Sequence, residues 1–284
     1  MQHVAIIGAG ELGGATAYAL ARSSLVRSIT LIDETRRVAA GKALDITQAA
    51  PVEGFATQLT GTTDVSAAAG ASVIILADRV TGGEWQGEDA VVLLKRLSQT
   101  AAGAVILCAG PMQRELVERG GGELKIARTR LFGSAPESLA AAARALVALA
   151  VDGSPRDVSL SILGVPPAHT VIPWADATVA GFALTRLLTE PVQRRLRARI
   201  AALWPTGPYA LAAAATTCVE AMAGRSRRVT SCFVAPDFST GAHSRTAALP
   251  VRLGPAGIVE IVLPSLSIVE QVALDTAMQR DVRS

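Results

Sequence analysis

The chain alternates short, mostly apolar runs with longer stretches whose apolar residues recur at helical spacing. Runs of the first kind fall at His3–Ile7, Ser28–Ile32, 71–77 and 104–108, and stretches of the second at 12–21, 38–49 and 89–100. Strands without polar alternation are buried on both faces. The pattern therefore predicts a parallel sheet with helices on either side, joined by right-handed crossovers.

The second half has a different rhythm. Helices are predicted at 136–151, 191–203, 209–223 and 266–278, with Pro136 in a first turn, where its missing N–H does no harm. Strands are predicted at 158–163, 229–234, 249–253 and 258–263, the last three as a meander. Three consecutive glycines at 120–122 mark the boundary. The expected fold class is α/β, a doubly wound Rossmann sheet over residues 1–122, followed by an α+β domain over 123–284.

Half of the 284 residues are hydrophobic and 18% are charged, which excludes a disordered chain. Aromatics make up only 4%, so the core is built from Ala, Val, Leu and Ile. The net charge of +3 comes from scattered arginines, without a basic stripe or an aromatic stacking platform, so no nucleic-acid partner is expected. No charge-free apolar run reaches about 18 residues and no leader pattern precedes the first strand, so no membrane span or signal is expected. Cys108, Cys218 and Cys232 have neither CxxC nor metal-ligand spacing, which points to a reducing, cytoplasmic setting and no metal site.

Gly8-Ala9-Gly10-Glu11-Leu12-Gly13 follows the first strand and opens the first helix. In that context the first glycine permits the tight turn and the second lets the backbone approach a pyrophosphate. The third lets helix and strand pack closely. The helix N-terminus, with Glu11 and Leu12, offers N–H groups to phosphate. Asp33 ends the second strand 20 residues after Gly13, where a carboxylate accepts hydrogen bonds from adenosine ribose and repels a 2′-phosphate. The predicted cofactor is therefore NAD, held by Gly8, Gly10, Glu11, Leu12, Gly13 and Asp33.

Further segments resemble the lactate/malate dehydrogenase family, in particular its lactate-dehydrogenase-like malate dehydrogenases. They are Gly41-Lys42-Ala43-Leu44-Asp45-Ile46, Pro51-Val52-Glu53-Gly54-Phe55, Gly61-Thr62-Thr63-Asp64, the helix at 209–220, Arg228–Cys232, and Pro250–Leu253 with Gly257-Ile258-Val259. The resemblance covers nearly the whole chain. It implies two domains, NAD, a homodimer or homotetramer, and hydride transfer between NAD and C2 of a 2-hydroxy acid. It also implies a proton-exchanging histidine, an aspartate that orients it, and three arginines that bind substrate.

Carried over position by position, most of that machinery is missing. Gly82 and Glu88 stand where two arginines belong, and Arg79 lies three positions early. An Asn-Pro pair becomes Gly110-Pro111. The Leu-Asp-x-x-Arg motif reads Leu124-Lys125-Ile126-Ala127-Arg128, keeping Arg128 as a candidate substrate anchor but replacing the aspartate by Lys125. The histidine motif reads Gly164-Val165-Pro166-Pro167-Ala168, leaving His169 as the nearest candidate proton carrier. A lysine beside it disfavours imidazolium. His3 and His243 are expected to be structural or solvated, and Cys108 and Cys218 to be packing residues. Loss of the acid/base and of the charged substrate contacts together lowers ordinary turnover by roughly a million-fold. Two functions are compatible with these residues: an impaired or redirected dehydrogenase acting on a small carbonyl or hydroxy substrate, and a catalytically inactive NAD-binding or assembly protein.

Overall fold

The computed structural model describes residues 1–238 and 244–279. His243 lies outside the described residues. In the first half, strands β1 (His3–Ile7), β2 (Ser28–Ile32), β3 (Gln58–Thr62), β4 (Val73–Leu76), β5 (Val105–Cys108) and β6 (Leu131–Gly133) pair in parallel. Their spatial order is β3-β2-β1-β4-β5-β6. The order reverses between β1 and β4, so the carboxyl ends of those two strands flank the crevice where such sheets place their ligands.

Helices α1 (Glu11–Arg22), α2 (Arg36–Glu53), α3 (Gly87–Thr100) and α4 (Arg114–Gly122) cover the two faces. Successive strand residues point to opposite faces, and β1 shows the consequence. Val4 and Ile6 pack with Leu12, Leu20 and Ala43, whereas Ala5 and Ile7 pack with Leu94, Leu97 and Val117.

The second half comprises α5 (Ala135–Ala150), β7 (Leu163–Val165), β8 (His169–Val171), α6 (Glu190–Ala201), α7 (Pro208–Met222), β9 (Thr230–Val234), β10 (Ala247–Gly254), β11 (Gly257–Ile261) and α8 (Ile268–Met278). The meander β9-β10-β11 forms as predicted, all antiparallel. Because β9 also pairs with β6, the two halves share one 11-stranded sheet.

Four features depart from the sequence pattern. The run at 158–163 is two strands: Val158–Ser159 joins a small sheet with Thr178–Val179 and Phe182–Ala183, and Leu163–Val165 joins the main one. Between them the Ile162 N–H donates to Ser231 Oγ at 2.9 Å, a side chain replacing a ladder partner. The polar strand β3 lies at the sheet edge and is only partly buried, and β6 has three residues, so neither leaves a clear periodic signal. The glycines at 120–122 form the last turn of α4, with Gly120 and Gly121 buried against Leu131 and Phe238. They serve close packing, and the sheet continues past them into β6.

A part-buried ion pair ties the second half together, with Glu137 buried and Arg144 half-buried. Glu137 on α5 accepts from Arg144 at 2.5 Å and from the Ser231 N–H at 2.8 Å. Arg144→Ala leaves this carboxylate buried without its cation and is expected to cost about 3 kcal/mol in denaturant unfolding. A loss below about 0.5 kcal/mol would mean that the backbone donor alone is sufficient.

Candidate cofactor and active site

Gly8, at φ +110°, turns the chain sharply after β1, and its N–H donates to the Ile32 carbonyl at 2.7 Å. A Cβ on Gly13 would fall inside the Gly8 carbonyl oxygen, so the third glycine is required by the closeness of helix and strand. Asp33, only 4% exposed, faces this turn. Its Oδ2 accepts from the Ala9 N–H at 2.9 Å and the Val80 N–H at 3.1 Å, and its Oδ1 from the Thr35 N–H at 2.9 Å. Beside it opens a crevice of about 330 Å³ whose walls include Ile7, Ile32, Thr63, Val65, Trp85 and Leu93. A largely apolar slot, with Glu34, Asp89 and Arg96 also in its lining, lies beside a fixed carboxylate at the carboxyl ends of β1 and β2, where such sheets hold an adenosine.

The phosphate side of the crevice is arranged differently. Asp78 follows β4, the neighbour of β1. Its carbonyl accepts from the Gly10 N–H at 2.9 Å and its carboxylate Oδ1 from the Gly13 N–H at 2.9 Å. A Cβ on Gly10 would overlap the Asp78 carboxyl group, so the cradle that the second glycine provides is filled by this side chain. Lys42 on α2 closes the back of the turn by donating to the Gly10 carbonyl at 2.5 Å. On the phosphate side of the turn, the Gly13 N–H and the hollow opposite Gly10 are thus taken by an anion of the chain itself.

The segment after Asp78 folds back as a hairpin, Asp78–Arg79 against Gly83–Glu84, with Gly82 at φ +97° in its turn. The Arg79 guanidinium stacks on Trp85 at 4.5 Å and donates to the Gly82 carbonyl at 3.2 Å. Arg79 Nε and Trp85 Nε1 are shut from solvent without an acceptor. Glu84 reaches across to Gly110-Pro111, where its Oε2 accepts from the Met112 N–H at 2.9 Å and a Cβ on Gly110 would collide with it. Burial pushes the Glu84 carboxyl up to about 7; the Met112 amide opposes that shift and the nearby Asp78 charge adds to it.

The substrate-side candidates do not assemble. His169 sits on β8, exposed, paired across the ladder with Val165, and its ring makes no hydrogen bond to the described residues. Arg128 is exposed and lies 4.0 Å from Asp237. Lys125 is exposed at φ +55°. Glu88 pairs with Arg119 at 2.8 Å instead of facing the crevice as an arginine would. Of the cofactor candidates, Gly8, Gly10, Gly13 and Asp33 converge on the turn; Leu12 is buried in the core and Glu11 is exposed at the start of α1. His3 donates to or accepts from Thr30 at 3.1 Å, and all three cysteines are free and buried.

Sequence reasoning missed Asp78, Glu84 and Lys42. A signal for Asp78 was present: an acidic residue directly after the apolar run at 71–77. Once that run is placed beside β1, the next residue must lie over the glycine turn. Glu84 gave no comparable signal, since its position depends on the hairpin.

A parallel sheet of this order, with a glycine turn at its switch point and an antiparallel second half, defines a dinucleotide-binding protein of the two-part dehydrogenase class. Residues 2–88 match the lactate/malate dehydrogenase NAD-binding domain. Over 97% of its length the chain is 31% identical to a malate dehydrogenase of Desulforudis audaxviator, covering 94% of that protein. It is 30% identical to one from Thermomicrobium roseum, covering 95% of this chain and 93% of that one. Among solved structures, a lactate dehydrogenase from Cryptosporidium parvum complexed with lactic acid and NAD has the same fold, with a TM-score of 0.85 at 21% identity, covering 97% of this chain and 94% of that one. The malate dehydrogenase of Salinibacter ruber superposes with a TM-score of 0.80 at 24% identity, covering 97% and 93%. The chain belongs to the lactate/malate dehydrogenase family, and its first 88 residues carry that family's NAD-binding domain, so NAD is the cofactor class of this protein.

Glu84 has a measurable consequence. It ionises ordinarily near 4.5 and in the fold near 7. Between those values the folded chain holds a proton that the unfolded chain has lost, so stability falls as pH rises through the window. After allowance for solvent screening, the fall is about 1–2 kcal/mol. Denaturant unfolding at pH 5 and pH 8 should show it in the wild type, and Glu84→Gln should lack that part of the slope. Equal slopes in the two proteins would place the Glu84 carboxyl in solvent.

Proposed function

We propose that the chain is a NAD-binding member of the lactate/malate dehydrogenase family in which ordinary turnover of 2-hydroxy acids is lost or severely impaired. The observation that carries this reading is the presence of two carboxylates, Asp78 and Glu84, in a cleft where the expected arginines and proton-exchanging histidine are absent at their matched positions. An anionic substrate entering the cleft meets like charge, and His169 has no carboxylate to orient it. Residues 1–122 are read as the unit that holds the dinucleotide. Residues 123–284 are read as the substrate-side unit, with β6 returned to the first unit's sheet.

A redirected enzyme is the second reading, favoured by one feature. Glu84, with a carboxyl near 7, has the proton affinity that a general acid or base needs at neutral pH. It stands close to β5, in a cleft whose stacked Arg79 and Trp85 would meet a carbonyl or hydroxy compound of low negative charge.

Homo-oligomerisation as a dimer or tetramer accords with exposed apolar side chains on α2 and α7, where Leu44 and Tyr209 are 59% and 75% exposed. A cytoplasmic location accords with three free thiols. No helix among the described residues is long and apolar enough to cross a membrane.

The test is an assay of NADH oxidation with pyruvate and oxaloacetate. The expected turnover is at least about 10⁴-fold below the ordinary enzymatic range. Turnover of about 1 s⁻¹ or more with either acid would refute the impaired reading. Oxidation of NADH by uncharged ketones, abolished by Glu84→Gln, would establish the redirected one.

A further inference from the structure

We propose that Asp78 is an internal anion that occupies the pyrophosphate position of the cofactor site, so that NAD binds only when this side chain is displaced. The proposal rests on the reading of the chain as a NAD-binding member of its family.

Three observations support it independently. The Gly13 N–H, at the positive end of α1, donates to the Asp78 carboxylate as it would to a phosphate oxygen. The hollow opposite Gly10 is filled by the same carboxyl group. The Asp78 backbone is fixed on both sides, by the Gly10 N–H on its carbonyl and by the ladder to Glu84, so the side chain is held over the turn and is not sweeping through solvent. A pyrophosphate seated beside an ionised Asp78 would suffer like-charge repulsion in a half-buried site. It would also lose the Gly13 amide. The charged groups around the turn do not reverse this. Lys42 is engaged with the Gly10 carbonyl and Asp33 with three backbone amides.

The adenosine crevice is separate from this block. It is lined by residues at the ends of β1 and β2 and after β3, by Trp85 and by α3, and Asp78 is not among its lining residues. Adenosine and NADH therefore probe different halves of the same site, and only the second should sense Asp78.

The experiment measures NADH affinity by calorimetry and adenosine affinity by ligand-detected NMR, for the wild type, Asp78→Ala and Asp78→Asn. Thermal melting confirms folding, and the asparagine variant decides if the alanine variant does not fold. The expected result is NADH binding tightened by about tenfold or more in each folded variant, with adenosine affinity changed by less than about twofold. Unchanged or weakened NADH binding, with adenosine still bound by all three proteins, would overturn the proposal and leave the NAD reading intact. Equal tightening of NADH and adenosine would also overturn it, because the charge would then act on the whole crevice. Binding of neither ligand by any of the three would remove the NAD reading and the proposal together.

Discussion

The site is organised around one charge-assisted hydrogen bond, from the Gly13 N–H at the start of α1 to the carboxylate of Asp78. In a Rossmann turn the helix N-terminus and the glycine cradle form a preorganised receptor for an anion, and an anion is stabilised there whatever its source. Here the anion belongs to the chain. The surrounding geometry follows from that. Gly10 must lack a side chain because Asp78 occupies its space, and Gly10 also donates its N–H to the Asp78 carbonyl. The hairpin from Asp78 to Glu84 is anchored at this point, which brings Glu84 over Gly110 and its carboxyl towards neutrality.

The remaining differences from a conventional dehydrogenase site share this electrostatic direction. Where substrate arginines are expected, Gly82 makes a turn and Glu88 is paired with Arg119. Where a carboxylate should orient a histidine, Lys125 is exposed, and His169 lies exposed on an edge strand. The cleft holds Asp78 and Glu84, while the sheet, the glycine turn and Asp33 keep the form of a dinucleotide-binding fold. Packing explains why the scaffold does not depend on the residues at its ligand-binding edge. The strands β1, β4 and β5 are almost wholly buried between two layers of helices, and their apolar side chains stabilise the fold regardless of what binds at their ends.

Much of this was legible in the sequence. The apolar runs of β1, β2, β4 and β5, the glycine spacing and Asp33 specify a parallel sheet and its ligand-binding edge, because burial on both faces leaves an unambiguous pattern. The edge strand β3 and the three-residue β6 were not legible, since one is too polar and the other too short to show a period. The three glycines read as a boundary in the sequence, and their packing against Leu131 and Phe238 at the end of α4 exists only in three dimensions. The departures from the family's motifs could be read from residue identity at matched positions. The placement of Asp78 and Glu84 in the cleft could not, since it depends on which strand lies beside β1 and on a hairpin register that two-residue strands do not encode.

The position of the Asp78 side chain can be observed directly in a high-resolution crystal structure grown from a sulfate-rich solution, in which a free phosphate turn would capture an ion. The account predicts the Asp78 carboxylate within hydrogen-bonding distance of the Gly13 nitrogen and no sulfate in the cradle. A sulfate bound to the Gly13 amide, with the aspartate turned away into solvent, would contradict it.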